Sequence, residues 1–299
     1  MQITGTKFPT YSPELNAELL EQYRNEGYIA LENVLSPEEV AEAKTALTEL
    51  FQRIVLNDGS LKEGKFWNSP DALTPHKFFI QYEPGYRPDP NSTLDELELK
   101  LRKVMWFTDQ HPVFEYMVSN HPVIRNVIET LLGDQAILYQ DMALVKPPFI
   151  GSEKPWHQDN AYFEAAPLDA TIGCWIALDE ATVENGCMHV LPGRYDQAPL
   201  EHYHGFDCQI VESKIEPGKA VPVELKPGGA MFFSGLLPHQ TPPNSSPLRR
   251  RALQFHYRAA HTTVLSKEDY DRVFVDKDGV ASSCHAASVR RKQARQDNG

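Results

Sequence analysis

A histidine and an aspartate stand two residues apart in the segment from Pro155 to Tyr162, at His157 and Asp159. In an extended segment, side chains two residues apart point to the same side, so the imidazole and the carboxylate converge. His239, far downstream, is the candidate for a third metal ligand. Two imidazoles and one carboxylate on one face of a metal are typical of non-haem Fe(II) sites, which keep positions open for oxygen and an oxidisable cosubstrate. A short motif of this kind carries little weight by itself, so the rest of the chain decides.

The segment from Arg250 to Arg258 alternates in polarity with a period of two, which is typical of a strand. One face carries Arg250, Ala252, Gln254, His256 and Arg258, and the other carries Arg249, Arg251, Leu253, Phe255 and Tyr257. Either face can point inward on this pattern, but we expect the apolar face to pack against helices and the polar face to line a ligand cavity. An arginine there can hold a carboxylate through two parallel hydrogen bonds. The alternative is a group of solvated arginines at the start of a strand.

With these residues in place, the sequence resembles the phytanoyl-CoA dioxygenase-like branch of the Fe(II)/2-oxoglutarate oxygenases. That family carries H-x-D, then a distal histidine followed by an asparagine, a proline and a strand of the Arg-Arg-Ala type. Here these positions are His157-Gln158-Asp159, His239, Asn244 and Arg250-Arg251-Ala252. Residues 184–193 resemble a characteristic strand-and-turn segment of the family. The resemblance covers roughly residues 12–262, and the combined pattern is far more specific than any one motif.

The resemblance implies that His157, Asp159 and His239 bind Fe(II) and that Arg250 holds the far carboxylate of 2-oxoglutarate. It also implies a set of residues beside this cosubstrate, namely Trp175, Gln140, Met142, Lys103 and Thr241. The implied reaction uses O2 and decarboxylates 2-oxoglutarate to succinate and CO2, while an unactivated C–H bond of the substrate is hydroxylated. The implied fold is the double-stranded β-helix, a cupin-like jelly roll.

The order of the predicted elements agrees with that fold. Residues 1–134 are predicted to be mainly helical, with one helix that Ser36-Pro37-Glu38-Glu39 opens and one from Thr93 to about Phe107 that carries Lys103. In residues 135–262 the predicted strands are Ala136–Lys146, Thr171–Leu178, Cys187–Leu191, Val221–Leu225, Ala230–Phe233 and Arg250–Arg258. We predict one domain of residues 1–299, mainly β with flanking helices, in which residues 263–299 are an extension that ends in a frayed basic tail.

The composition argues against several classes of protein. The 29 Lys and Arg against 41 Asp and Glu give a formal net charge of −12, which argues against binding to nucleic acid. The four cysteines form no C-x-x-C pair, so we expect reduced thiols and neither a zinc ribbon nor a disulfide scaffold. No apolar run reaches the roughly 20 residues that span a bilayer, and the start of the chain has no apolar signal core. We therefore expect a cytoplasmic protein without a membrane partner, and the sequence does not indicate its oligomeric state.

The residues around the predicted cavity mouth indicate the class of substrate. They are Trp156, Tyr162 and Phe163 beside the metal ligands and Gln254, His256 and Arg258 on the polar face of the strand. Aromatic walls with a few hydrogen-bonding groups suit a small amphipathic metabolite. A fatty acyl-CoA is the runner-up, although its phosphates would need several exposed cations. Two other classes stay open: a non-catalytic barrel that binds a metal or a ligand, and a zinc hydrolase that uses the same triad but leaves Arg250 and Trp175 without a role.

Overall fold

Helices precede a series of short strands in the computed structural model, which describes residues 15–55, 65–66, 79–86, 93–195, 199–205 and 207–297. The helices are α1 Ala17–Glu26, α2 Pro37–Val55, α3 Leu94–Glu98, α4 Pro112–Ser119, α5 Pro122–Leu132, α6 Lys267–Tyr270 and α7 Cys284–Asp297. The strands are β1 Tyr28–Leu31, β2 Lys65–Phe66, β3 Phe79–Tyr82, β4 Leu101–Met105, β5 Ala136–Lys146, β6 Lys154–His157, β7 Ala165–Ala166, β8 Thr171–Ala177, β9 Met188–Val190, β10 His202–His204, β11 Cys208–Ile210, β12 Val221–Val223, β13 Ala230–Ser234, β14 His239–Thr241, β15 Arg250–Ala259 and β16 Thr263–Val264. None of the helices in these ranges is long and apolar enough to cross a bilayer.

Two sheets pack against each other to form the core that holds the candidate site. The larger sheet has the strand order β1-β13-β8-β15-β5-β4-β3-β2, and the smaller one has the order β12-β9-β14-β6. Side chains from both sheets meet in one buried cluster, with Trp175 and Met231 from the larger sheet and Met188 and Val190 from the smaller. The predicted fold class, mainly β with flanking helices in a double-stranded β-helix, is confirmed.

Strand β15 lies in the larger sheet between β5 and β8 and pairs with both. Its residues Leu253, Phe255 and Tyr257 belong to a buried apolar cluster that includes side chains of α2, α4 and α5. Tyr257 also donates a hydrogen bond of 2.9 Å from its hydroxyl to the carbonyl of Val118. The apolar face of β15 therefore packs against the helices as expected, and the face with Arg250 points into the space between the sheets.

Local sequence signals account for several helix boundaries. At the start of α2, the N–H of Glu39 donates to the hydroxyl of Ser36 at 3.2 Å, and the N–H of Ser36 donates to the carboxylate of Glu39 at 2.8 Å. This reciprocal pair is the predicted capping box. Proline opens α4 and α5, where its missing N–H would have no partner in the helix. Gly133 ends α5 with a φ of 65°, which glycine adopts without a steric penalty.

The helix predicted from Thr93 to about Phe107 is wrong beyond its first turns. Helix α3 ends at Glu98, and Lys103 lies on strand β4. This strand pairs with both β3 and β5, so hydrogen bonds to two neighbouring strands outweigh the local preference for a helix. Lys103 therefore lies within the sheet and not on a helix packed outside it.

The tail is helical as far as Asp297, so the prediction of a frayed basic tail is wrong. Helix α7 packs on the hairpin of β10 and β11, and a disulfide joins its first residue, Cys284, to Cys208 on β11. The expectation of reduced thiols is wrong for this pair, whereas Cys174 and Cys187 are free and buried. The partners are 76 residues apart in sequence, so no short cysteine motif could indicate the pairing.

Candidate metal centre

His157, Asp159 and His239 meet where the smaller sheet faces the larger one. Strands β6 and β14 pair so that His157 lies directly opposite His239. Asp159 follows β6 at the start of a short 3-10 turn that brings its carboxylate back toward the imidazoles. His157 Nε2 lies 3.4 Å from Asp159 Oδ1, and His239 Nε2 lies 3.7 Å from Asp159 Oδ2. All three residues are at most 5% exposed. The structure thus brings together the three residues that the sequence predicts as ligands.

Backbone carbonyls set the orientation of both imidazoles. Nδ1 of His157 lies 2.8 Å from the carbonyl oxygen of Pro155, and Nδ1 of His239 lies 2.9 Å from that of Leu237. Because a carbonyl oxygen only accepts hydrogen bonds, both Nδ1 atoms carry the hydrogen and both Nε2 atoms keep a lone pair. A metal-binding imidazole needs such a lone pair, with its other nitrogen held by an acceptor.

The buried position also keeps the three residues in metal-binding protonation states. Burial lowers the pKa of His157, and it lowers the pKa of His239 to about 3, with His157 adding to the effect. Burial by itself would raise the pKa of Asp159, but His256, His239 and His157 outweigh it and hold that pKa well below its usual value. Neutral imidazoles and an ionised carboxylate are the forms that bind a divalent cation. Two nitrogen donors and one oxygen donor fit Fe(II).

Phe233 packs against the centre from the larger sheet. Its ring centroid lies 4.9 Å from that of His239. Gly173, directly opposite Phe233 on strand β8, leaves room for this ring, since a Cβ at position 173 would lie 2.3 Å from Phe233 Cζ. Any larger residue there would displace the phenyl ring that packs against His239.

Two polar residues of β15 reach the carboxylate of Asp159. His256 Nε2 lies 2.7 Å from Asp159 Oδ2, and Gln254 Nε2 lies 3.5 Å from the same oxygen. The Nε2 atoms of Gln254 and His256 lie 2.9 Å apart. The sequence predicts both residues as substrate contacts, whereas the structure places both against a predicted metal ligand.

Arg250 and Trp175 lie on the same inward face of the larger sheet. Arg250 is 1% exposed and donates a hydrogen bond of 3.2 Å from Nη2 to the carbonyl of Gly186. Its Cζ lies 5.3 Å from the centroid of the Trp175 ring. Within the described ranges, Nε and Nη1 of Arg250 and Nε1 of Trp175 are buried donors without a protein partner. Such donors are rare, and this group fits the carboxylate of a bound ligand.

The other predicted cosubstrate residues lie on strands next to these. Gln140 and Met142 are on β5, which pairs with β15 along its length. Thr241 is buried on β14, two residues after His239. Lys103 is on β4, the other neighbour of β5, and burial lowers its pKa to about 8. The sheet register therefore places all four on strands that carry the site or adjoin it.

The aromatic residues predicted as substrate contacts divide between two places. The ring centroid of Tyr162 lies 6.3 Å from that of His157, and the ring centroid of Phe163 lies 4.9 Å from that of His256. Trp156 instead packs in a separate apolar cluster. Arg258 donates a hydrogen bond of 2.9 Å to a threonine hydroxyl in the turn after β15. Tyr162 and Phe163 thus flank the metal centre. The side-chain contacts given above for Trp156 and Arg258 are not with residues of that centre.

The hairpin of β10 and β11 contributes polar residues that the sequence does not predict as part of the site. Lys154 Nζ lies 2.5 Å from a carboxylate oxygen of Asp207 and donates to the hydroxyl of Tyr162 at 2.7 Å. His202 accepts a hydrogen bond of 3.1 Å from the N–H of Gln158, inside the H-x-D segment. These contacts tie the hairpin to the ligand segment. No local motif marks Asp207, and the only signal for His202 is its residue type.

A comparison with known proteins assigns the chain to a family. The family model for phytanoyl-CoA dioxygenase (PhyH) matches residues 23–252. The chain belongs to this family. The PhyH family consists of Fe(II)/2-oxoglutarate-dependent oxygenases, so the protein is an enzyme of that class. The phytanoyl-CoA dioxygenase domain-containing protein 1 of Danio rerio is 27% identical over 274 residues, which cover 84% of this chain and 92% of that relative.

Solved structures share the fold of this PhyH-family chain. EvdO2 from Micromonospora carbonacea var. aurantiaca matches with a TM-score of 0.61 and 26% identity, over 89% of this chain and 96% of EvdO2. EctD from S. alaskensis with 2-oxoglutarate and 5-hydroxyectoine matches with a TM-score of 0.63 and 20% identity, over 94% of this chain and 91% of EctD. The predicted family, fold class and enzyme class are confirmed, and the donor set found in this chain fits the Fe(II) of that class.

Proposed function

We propose that the protein is a dioxygenase that hydroxylates an unactivated C–H bond of a small free metabolite. The observation that carries this proposal is the buried triad, in which one ligand atom from each of His157, Asp159 and His239 lies within 4.8 Å of the other two. In the proposal these three residues hold Fe(II). Three protein ligands leave further coordination positions for the cosubstrate and for oxygen.

Arg250 is proposed to bind the far carboxylate of 2-oxoglutarate. Its buried Nε and Nη1 donors support this assignment, because neither has an acceptor among the described residues and a bound carboxylate would supply one. Trp175 is proposed to lie beside the same ligand, with its buried Nε1 as a further donor. The proposed cosubstrate pocket is completed by Gln140, Met142, Lys103 and Thr241.

Each residue of the proposed site then has a defined task. When bound, the iron and 2-oxoglutarate together supply the oxidising chemistry, in which decarboxylation to succinate and CO2 accompanies hydroxylation of the substrate. His157 and His239 offer neutral Nε2 atoms, and Asp159 offers a negative charge that offsets that of the metal. Arg250 orients the cosubstrate from its far end. Phe233 is buried against the imidazole of His239 and excludes water from that side.

The surroundings of the centre favour a small uncharged or weakly charged substrate. Aromatic side chains flank it at Tyr162 and Phe163, and pockets of this kind bind by apolar area and orient the ligand with few polar contacts. The cation nearest to Tyr162, Lys154, is already paired with Asp207. A coenzyme A thioester would need several such cations for its phosphates. The EctD structure with 5-hydroxyectoine has the same fold, which supports a free small molecule.

Coupled formation of succinate and product tests the proposal. The Fe(II)-loaded protein is supplied with 2-oxoglutarate and air and incubated with a panel of free metabolites and acyl-CoA thioesters. We expect succinate and hydroxylated product in equal amounts with a free metabolite. Turnover of an acyl-CoA, with the corresponding free acid inert, would favour the runner-up substrate. Absence of succinate with every compound would contradict the proposed hydroxylation.

Alanine variants of the triad test the metal site independently of the substrate. His157→Ala, Asp159→Ala and His239→Ala are each expected to lose Fe(II) binding in an anaerobic titration and to keep a cooperative thermal unfolding transition. His189→Ala is the matched control, because His189 lies on the adjacent strand β9 and its Nδ1 also contacts a carbonyl two residues earlier, at 3.2 Å. A triad variant with the parental affinity for Fe(II) would remove that residue from the site.

A further inference from the structure

The imidazole of His256 is in direct contact with one of the three proposed iron ligands. His256 Nε2 lies 2.7 Å from Asp159 Oδ2, whereas His239 Nε2 lies 3.7 Å from the same oxygen. The other carboxylate oxygen, Oδ1, faces His157 Nε2 at 3.4 Å. The two oxygens of Asp159 therefore have different neighbours: Oδ2 faces His256, and Oδ1 faces the first ligand histidine.

The proton that joins His256 to Asp159 is on the histidine. As a metal ligand Asp159 is ionised, so both of its carboxylate oxygens only accept hydrogen bonds. Nε2 of His256 has two polar neighbours, Asp159 Oδ2 at 2.7 Å and the side-chain amide of Gln254 at 2.9 Å. The carboxylate oxygen is the closer and accepts the hydrogen of Nε2, and the Gln254 amide can then face Nε2 only with its oxygen. Nδ1 of His256 is buried without a partner in the described part of the chain, so no second acceptor competes for the orientation of the ring.

The ring of His256 is fixed in position by its neighbours. His256 is 1% exposed, and its ring packs edge-on against Phe163 and Phe233, at centroid distances of 4.9 and 6.3 Å. Its backbone is held on both sides, opposite Gln140 on β5 and Gly173 on β8. A side chain held in this way can fix the orientation of the group that it binds.

We propose that His256 is a positioning residue that holds Asp159 in a single orientation by donating a hydrogen bond to Oδ2. Because Oδ2 is engaged, Asp159 presents one oxygen, Oδ1, to the metal instead of binding through both. A carboxylate bound through one oxygen occupies one coordination position and leaves the others for the cosubstrate and for oxygen. This inference rests on the proposed function, in which Asp159 is an iron ligand, and it gives His256 a task other than contact with the substrate.

Metal affinity tests the inference without any turnover. His256→Leu removes the donor but keeps an apolar side chain of similar volume, and His256→Gln keeps an N–H donor near the position of Nε2. Loss of a hydrogen bond to a metal ligand typically weakens metal binding by about 10- to 100-fold, so we expect that loss for the leucine variant and less than about threefold for the glutamine variant. His261→Gln is the control, because His261 is 55% exposed in its side chain and pairs with Asp134 at the surface.

The visible absorption of the Co(II)-loaded protein reports the coordination number, which a purely structural role of His256 would not change. We expect the spectrum of His256→Leu to differ from that of the parent and the spectrum of His256→Gln to match it. Parental affinity and spectrum in His256→Leu would overturn the inference, and so would a glutamine variant that loses as much affinity as the leucine variant. If His256→Leu does not fold, His256→Asn takes its place, because the shorter side chain does not bring an N–H to the position of Nε2 and the same losses are expected. If Asp159→Ala keeps Fe(II), the proposed function fails instead; if it loses Fe(II) while His256→Leu does not, only this inference fails.

Discussion

Replacement of Arg250 by alanine is expected to weaken 2-oxoglutarate binding on the order of 100-fold. Burial lowers the pKa of Arg250 from 12.5 to about 10. One pKa unit corresponds to about 1.4 kcal/mol, so burial destabilises the Arg250 cation on the order of 3 kcal/mol. A carboxylate that pairs with Arg250 removes this penalty. The value lies in the range of about 2–5 kcal/mol that follows the loss of one partner of a buried charge pair.

The assay is an anaerobic calorimetric titration of the Fe(II)-loaded protein with 2-oxoglutarate. Arg250→Lys keeps a positive charge without the planar fork of donors, so an intermediate affinity is expected. Arg249→Ala is the matched control, because the neighbouring arginine lies on the other face of the strand and pairs with Glu98 at 2.7 Å. That partly exposed pair should change the affinity less than about threefold.

Two results would refute the reasoning about Arg250. An Arg250→Ala protein with the parental Kd would show that the buried Nε and Nη1 donors of Arg250 serve no ligand. A large loss in Arg249→Ala, without one in Arg250→Ala, would show that the register of β15 is displaced by one residue. Arg251 makes two hydrogen bonds to the carboxylate of Asp179, at 2.8 and 3.0 Å, so the structure gives that residue a different partner.

Three further predictions concern pH, packing and the disulfide. Burial lowers the pKa of His202 to about 3. An unfolded histidine has a pKa of about 6.5, so the unfolded chain binds the proton first, and stability should fall below about pH 6.5 and be roughly 3 kcal/mol lower at pH 4. Denaturant unfolding at about pH 6.5 and at pH 4 should show a smaller loss of stability in His202→Gln than in the parent protein. Gly173→Ala should lower the free energy of unfolding by about 1–3 kcal/mol, since its Cβ would lie 2.3 Å from Phe233, and an unchanged Tm would contradict this. Peptide mapping without reductant should recover Cys208 and Cys284 in one linked peptide, and recovery of both as free thiols would contradict the pairing.

The sequence by itself determined the chemical nature of the centre and the pattern of the strands around it. The two-residue spacing of His157 and Asp159 and the alternation after Arg250 are local properties of an extended chain, so they can be recognised without the fold. Strand β5 has the ends that the sequence predicts, and the capping box at Ser36 opens α2 as expected. These features depend on residues that are neighbours in sequence, which is why a single sequence was sufficient for them.

The tertiary structure alone decided which side chains share the centre. The alternation in β15 allowed either face to point inward, and the packing of its apolar face against helices settled the choice. Lys103 lies on a strand because two neighbouring strands bind its backbone. His256 and Asp159 are 97 residues apart, and Lys154 and Asp207 are 53 residues apart. Such pairs form only when distant strands are brought together, and no spacing within one segment can encode the contact.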